Sequence, residues 1–149
     1  MLTVSDGVAS GRREDRSGAA LADRLTEAGF RVVERDVVAD GGVQVASALR
    51  RMAIGFTGLI VTTGGTGFGP RDLTPEGTRA AIDREAPGLA EAMRLVSPFG
   101  RLSRAIAGTI GTALVLNTPG SQKGAIEYFD AVVDILPHAL ELLSGDRPH

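Results

Sequence analysis

Leu59-Ile60-Val61-Thr62-Thr63-Gly64-Gly65-Thr66-Gly67 decides the fold. The short apolar run at its start reads as a strand buried on both faces, the mark of a parallel sheet. It passes directly into a glycine-rich loop, where the missing side chains let a ligand lie against the backbone. Two other passages share this form. Leu2-Thr3-Val4 stops at Ser5-Asp6-Gly7, and a strand over 112–116 ends in Asn117-Thr118-Pro119-Gly120-Ser121. Between these strands the pattern changes to a helical period. Ser17 stands where a helix cap is expected, with Leu21 and Leu25 following at i, i+4 and Gly29 as the stop. Residues 30–38 read as a second strand, and Val45, Leu49 and Met52 line one face of the next helix. Pro75 opens a further helix, another covers 88–96, and strands over 105–108 and 112–116 turn at Gly111. The last helical region, 123–143, must kink or restart at Pro137. Strands alternating with amphipathic helices predict an α/β fold: three layers around a mostly parallel sheet, in one domain over 1–149.

Composition narrows the chemistry. Sixteen Lys and Arg against 18 Asp and Glu give a net charge of −2. No basic stripe is implied, which argues against nucleic acid and against electrostatic capture at a membrane. The absence of cysteine removes thiolate nucleophiles, disulfides and cysteine metal sites. With only His138 and His149, histidine triads and multi-histidine metal sites are not expected. Glycine is in excess, 20 of 149 residues or about 13 %, against a usual share of about 7 %. The N-terminus has no basic region followed by an apolar run, and no stretch approaches the roughly 20 apolar residues of a membrane span. A cytoplasmic protein is expected. The chain begins almost inside its first strand, which leaves open upstream residues or a late start.

In a parallel sheet, loops that follow strands emerge at one edge, where open α/β folds bind ligands. All three such loops are rich in Gly, Ser and Thr, which aim N–H groups and hydroxyls at anionic oxygens. A phosphate-bearing ligand spread across this edge is the natural reading. Neither a G-x-G-x-x-G dinucleotide site nor a P-loop is present. In Arg71-Asp72-Leu73-Thr74-Pro75-Glu76, Thr74 with Pro75 reads as a helix cap and Glu76 suits the positive helix end. That does not account for Arg71-Asp72, which could hold a phosphate and a Mg²⁺ together. Asp40, in the turn after the second strand, reaches the same edge, and two carboxylates facing phosphates suit Mg²⁺. Each aspartate taken alone also reads as a turn residue. Lys123 could neutralise phosphate or be a solvated surface lysine. Ser103-Arg104 could reach the site, whereas His138 reads as structural.

The motifs, in this order along the chain, resemble one family. They are Thr3-Val4-Ser5-Asp6, Ser10-Gly11 to Asp15-x-Ser17-Gly18, Thr63-Gly64-Gly65-Thr66-Gly67, and Arg71-Asp72-x-Thr74-Pro75-Glu76. Ala86-Pro87-Gly88-x-Ala90-Glu91-x-Met93-Arg94, Leu102-Ser103-Arg104 and Asn117-x-Pro119-Gly120-Ser121 follow. The chain is similar over nearly its whole length to the MogA/MoaB family of molybdenum-cofactor biosynthesis proteins, which includes the G domains of plant and animal relatives such as gephyrin. The resemblance implies the MogA-like fold, assembled as a homotrimer, and contact with molybdenum-insertion enzymes. It implies adenylylation of molybdopterin by Mg-ATP, with release of pyrophosphate. By the same resemblance Asp40 and Asp72 are the catalytic aspartates, linked by Mg²⁺. Residues 64–67 are then the phosphate loop and Pro119-Gly120-Ser121 the second ligand loop. Ser5, Asp6, Thr74, Glu76 and Ser103 fall at or near the pterin and nucleotide pocket. Thr118 and Gln122 depart from the family pattern, where Leu or Met and Pro are common. Two further readings stay open: a non-catalytic pterin-binding scaffold, and a phosphohydrolase like the CinA-related proteins.

Overall fold

The computed structural model describes residues 1–146; residues 147–149, which end the expected domain and include His149, lie outside it. Six strands form one sheet: β1 (Leu2–Val4), β2 (Asp36–Val38), β3 (Gly58–Thr63), β4 (Arg84–Glu85), β5 (Ala107–Ile110) and β6 (Ala113–Thr118). Their spatial order is β2-β1-β3-β6-β5-β4. The β2-β1-β3-β6 half is parallel, and β5 and β4 are antiparallel additions. The helices are α1 (Asp6–Ala9), α2 (Arg16–Glu27), α3 (Gly42–Ala53), α4 (Thr74–Ala81), α5 (Pro87–Arg94), α6 (Gln122–Val132) and α7 (Leu136–Ser144). A 3₁₀ turn covers Pro98–Leu102.

Period-two alternation sorts the strand side chains into two cores. Leu114 and Leu116 of β6 and Val61 of β3 join Leu21, Leu25, Met93 and Phe129 on one face. Ala113, Val115 and Ile60 join Val45, Leu49 and Met52 on the other. The expected three layers result, with α2, α5, α6 and α7 on one side and α3 and α4 on the other.

The structure moves several expected boundaries. Only Asp36–Val38 of the 30–38 stretch is strand, because β1 offers ladder partners from Leu2, opposite Asp36, onward. Asp15, not Ser17, caps α2: its Oδ1 accepts from Gly18 N at 3.0 Å while its Oδ2 accepts from Thr3 Oγ1 at 2.8 Å. The pair expected at 105–108 and 112–116 lies at Ala107–Ile110 and Ala113–Thr118, turning at Gly111. The final helical region restarts at Leu136, with Pro137 in the first turn, where no amide donor is required. The short α1, β4 and the 3₁₀ turn carry too few residues to show a period. Among the described residues no helix is long and apolar enough to cross a membrane.

Candidate active site

The floor of the site is main chain. β1, β3 and β6 end side by side, and Gly64 sits where they converge, with φ +103°. Its amide donates to Thr118 O at 3.1 Å, and a Cβ on it would lie 2.2 Å from Val4 O. No other residue fits there. The next residue, Gly65, also has positive φ, and its carbonyl accepts from Thr74 N at 3.0 Å. The hydroxyl of Thr74 donates to Gly64 O at 2.8 Å. This corrects the expected capping role: α4 has Leu73 at its cap position with no side-chain bond, and Thr74 instead ties the helix to the glycine loop.

Two carboxylates are oriented above this floor. Asp40 Oδ2 accepts from Asp6 N at 3.0 Å, and Asp6 Oδ1 accepts from Asp40 N at 3.1 Å. The loops after β1 and β2 are thereby laced together. Arg71 completes the arrangement by donating Nε to Asp6 Oδ2 at 2.6 Å and Nη2 to Asp6 Oδ1 and Asp40 O, each at 3.0 Å. The Arg71 hydrogen bond holds the Asp6 carboxyl below its ordinary value, and the same bond raises Arg71. Arg71 and Asp6 therefore stand behind Asp40 as its support; neither lines a cavity of the site. Asp72 is fixed differently. Its Oδ2 accepts from Gly69 N at 2.9 Å, its amide donates to Gly69 O at 3.0 Å, and its carbonyl accepts from Arg104 Nη2.

Arg104 also donates Nε to Gly67 O at 2.9 Å and its amide to Thr66 O at 2.8 Å, and it pairs with Glu76. The Arg104 hydrogen bond holds the Glu76 carboxyl below its ordinary value. One guanidinium thus bolts the loop that carries Asp72 to both α4 and the entry of β5.

Asp40 and Asp72 line one cavity of about 710 Å³ with Ser5, Gly64, Gly65, Gly120 and Ser121. In each carboxylate Oδ1 accepts no hydrogen bond among the described residues. Hard oxygen donors of this kind, two in number, fit Mg²⁺ completed by substrate phosphates and water rather than an all-protein cage. No group of three or more His, Cys, Asp or Glu able to hold a metal occurs among the described residues.

A second cavity, about 580 Å³, takes in Thr66, Gly67, Ser103, Pro119 and Lys123 of the expected set, together with Phe99 and Tyr128. The two cavities share Gly65, Asp72, Gly120 and Ser121 as a common wall. Lys123 lies 3.7 Å from Glu127, one helical turn on. Thr74, Pro75 and Glu76 line neither cavity. Asn117 is the clearest correction. It is fully buried; its Nδ2 donates to Thr62 Oγ1 and Thr78 Oγ1, and its Oδ1 accepts from Ile106 N. Its amide is spent joining β6 to β3, α4 and the chain entering β5. His138 stands on α7 beside Glu141 and lines neither cavity.

The sequence reading assigned no site role to Arg12, Arg13 or Arg16 and read Ser17 as a cap; all four line the first cavity. Their signal was a charged run between a strand and a helix. It also assigned no role to Phe99, in the 3₁₀ turn that leads toward β5, or to Tyr128, on one face of α6 beyond the loop at 119–121.

Fold and site together define an α/β protein with a main-chain floor at one sheet edge and two oriented carboxylates beside it. Residues 1–138 match the family model described as "Probable molybdopterin binding domain". The molybdopterin adenylyltransferase of Helicobacter pylori strain J99 is 35 % identical over 153 residues, covering 98 % of this chain and 87 % of that one. The molybdenum cofactor synthesis protein cinnamon of Drosophila melanogaster is 37 % identical over 98 % of this chain, which spans 25 % of that longer protein. The solved structure of the molybdopterin biosynthesis enzyme MoaB of Thermus thermophilus superimposes with a TM-score of 0.90 at 46 % identity, covering 99 % of this chain and 95 % of that one. The chain belongs to the molybdopterin-binding domain family of molybdenum cofactor biosynthesis.

Proposed function

We propose that this protein is a molybdopterin adenylyltransferase, transferring AMP from Mg-ATP to molybdopterin. The observation that carries the reading is the wall shared by the two cavities. Two ligands entering from opposite sides meet there, between Gly65, Asp72, Gly120 and Ser121. An oxygen of the pterin's terminal phosphate forms a bond to the α-phosphorus of ATP. The bond from that phosphorus to the bridging oxygen breaks, and the electron pair leaves with pyrophosphate. A phosphate nucleophile needs no side-chain base, which agrees with a site built without cysteine or histidine. Catalysis then rests on positioning and charge neutralisation. Asp40 and Asp72 hold the Mg²⁺, which when bound offsets phosphate charge.

The same reading takes residues 1–149 as one working domain in the cytoplasm. It also takes the chain as a homotrimer that hands its product to molybdenum-insertion enzymes. Self-association is supported by Leu95, Val96, Phe99 and Leu102, large apolar side chains exposed along one short segment.

The test is direct: purified protein with molybdopterin, ATP and Mg²⁺, followed chromatographically for the adenylylated pterin and for pyrophosphate. Product formed by the parent and lost in Asp72→Asn supports the reading. Tight pterin binding without product refutes it in favour of a carrier.

A further inference from the structure

The two cavities differ in the cations that line them, and the difference assigns their roles. The second holds one cation, Lys123, and that lysine has Glu127 beside it. The first is walled by three arginines within five residues: Arg12, Arg13 and Arg16. Glu14 lines the cavity with them, and their direct pairing is weak. Arg12 Nε donates to the neutral hydroxyl of Ser10 at 2.9 Å. Arg16 has Glu14 at 3.6 Å, with both side chains largely in solvent. Arg13 has no side-chain hydrogen bond or ion pair among the described residues.

The segment is nonetheless built rather than loose. The amides of Arg12 and Arg13 both donate to Gly7 O, at 2.9 and 3.1 Å. The stem of Arg13 lies in the notch that Gly7 leaves: a Cβ there would stand 2.7 Å from Arg13 Cδ and 3.1 Å from Cγ. Asp40 and Asp72 line this same cavity.

We propose that Arg12, Arg13 and Arg16 hold the β- and γ-phosphates of the nucleotide and receive the pyrophosphate when it leaves. The inference rests on the adenylyl-transfer reading and deepens it. Attack on the α-phosphorus at the shared wall comes from one cavity, so the leaving group departs into the other. When the bond to the bridging oxygen breaks, the electron pair goes to that oxygen. The added charge develops on the side where the guanidiniums stand, which favours departure. The first cavity then takes the polyphosphate end of ATP, and the second, with Phe99 and Tyr128, takes the pterin.

Binding of inorganic pyrophosphate in Mg²⁺, measured by titration calorimetry, tests this without relying on turnover. Arg13→Gln is expected to weaken pyrophosphate about tenfold, and the triple glutamine variant about a hundredfold, since each loses charge-assisted bonds to phosphate. Molybdopterin affinity stays unchanged in both. The parent's pyrophosphate affinity falls steeply with salt and the triple variant's does not, because exposed charges are screened. Gly7→Ala, tolerated by a helical backbone, displaces the Arg13 stem and weakens pyrophosphate in the same direction. A triple variant that binds pyrophosphate within twofold of the parent overturns the proposal. So does one that loses molybdopterin instead, which would assign the arginines to the pterin's phosphate. Arginine-dependent pyrophosphate binding without any adenylylated product would refute the transferase reading while leaving the anion wall standing.

Discussion

Arg104→Lys separates charge from geometry at the point where the Asp72 loop is fastened. The guanidinium reaches three partners at once: Gly67 O at 2.9 Å, Asp72 O, and the Glu76 carboxylate. A lysine can keep the charge beside Glu76, but one ammonium on a flexible stem cannot span both carbonyls. Two hydrogen bonds are lost at about 1 kcal/mol each, or about 2 kcal/mol in all. For a chain of this size each kcal/mol lowers Tm by about 2–4 °C, so melting falls by about 4–8 °C. Turnover suffers more than stability, because the freed carbonyl belongs to Asp72 itself. A misplacement of about 1 Å at a reacting centre costs about a hundredfold. The measurements are thermal unfolding and adenylylation kinetics across a Mg²⁺ series. A lysine variant that melts within about 1 °C of the parent and turns over within twofold refutes the fastening argument.

The remaining predictions concern the parts that hold the site. Because Arg104 depresses Glu76, that pair adds stability above the ordinary glutamate value of 4.5, lost as pH falls through and below it. The gap between the denaturant midpoints of parent and Arg104→Ala should therefore narrow in acid to what the two carbonyl bonds leave, and parallel curves down to low pH would contradict the pairing. Asn117→Leu removes the acceptor for Ile106 N and the donor to two threonine hydroxyls. It should destabilise by about 2–4 kcal/mol in urea unfolding while substrate KM values change far less, because the side chain lines neither cavity. Gly77→Ala places a Cβ 2.5 Å from Gly42 O and 2.7 Å from Val45 Cβ, forcing α3 and α4 apart. A loss of about 1–3 kcal/mol is expected in the same assay.

What the sequence made legible was whatever repeats with a period or ends a strand. The parallel strands, the three ligand loops and the presence of Asp40 and Asp72 at one edge all follow from that logic. Roles within the edge were harder to see. Asp6 and Arg71 look like ligand contacts because they are charged and well placed. Only three dimensions reveal that they point at Asp40 from behind. Asn117 looks like a loop residue at a strand end, yet β6 continues one residue past it to Thr118 and turns its amide inward. Arg104 could be read only as within reach of the site, and its bracing of the Asp72 loop stayed hidden for a topological reason. The rule that ligand loops follow strands holds for β1, β3 and β6, whereas β5 runs antiparallel to β6. The residues entering β5, not those leaving it, therefore arrive at the functional edge.

The main-chain floor at Gly64 has a consequence for how such a protein can vary. A recess assembled from carbonyls and amides does not depend on the identity of the side chains flanking it. Strands β1, β3 and β6 can exchange one apolar residue for another, and the recess they frame keeps its contour. Position 64 has no such latitude, since any substituent collides with the carbonyl of Val4. The architecture concentrates intolerance into one residue that contributes no functional group of its own. Divergent sequences can therefore retain the same recess, and new ligand preferences can arise at its walls while its base stays fixed.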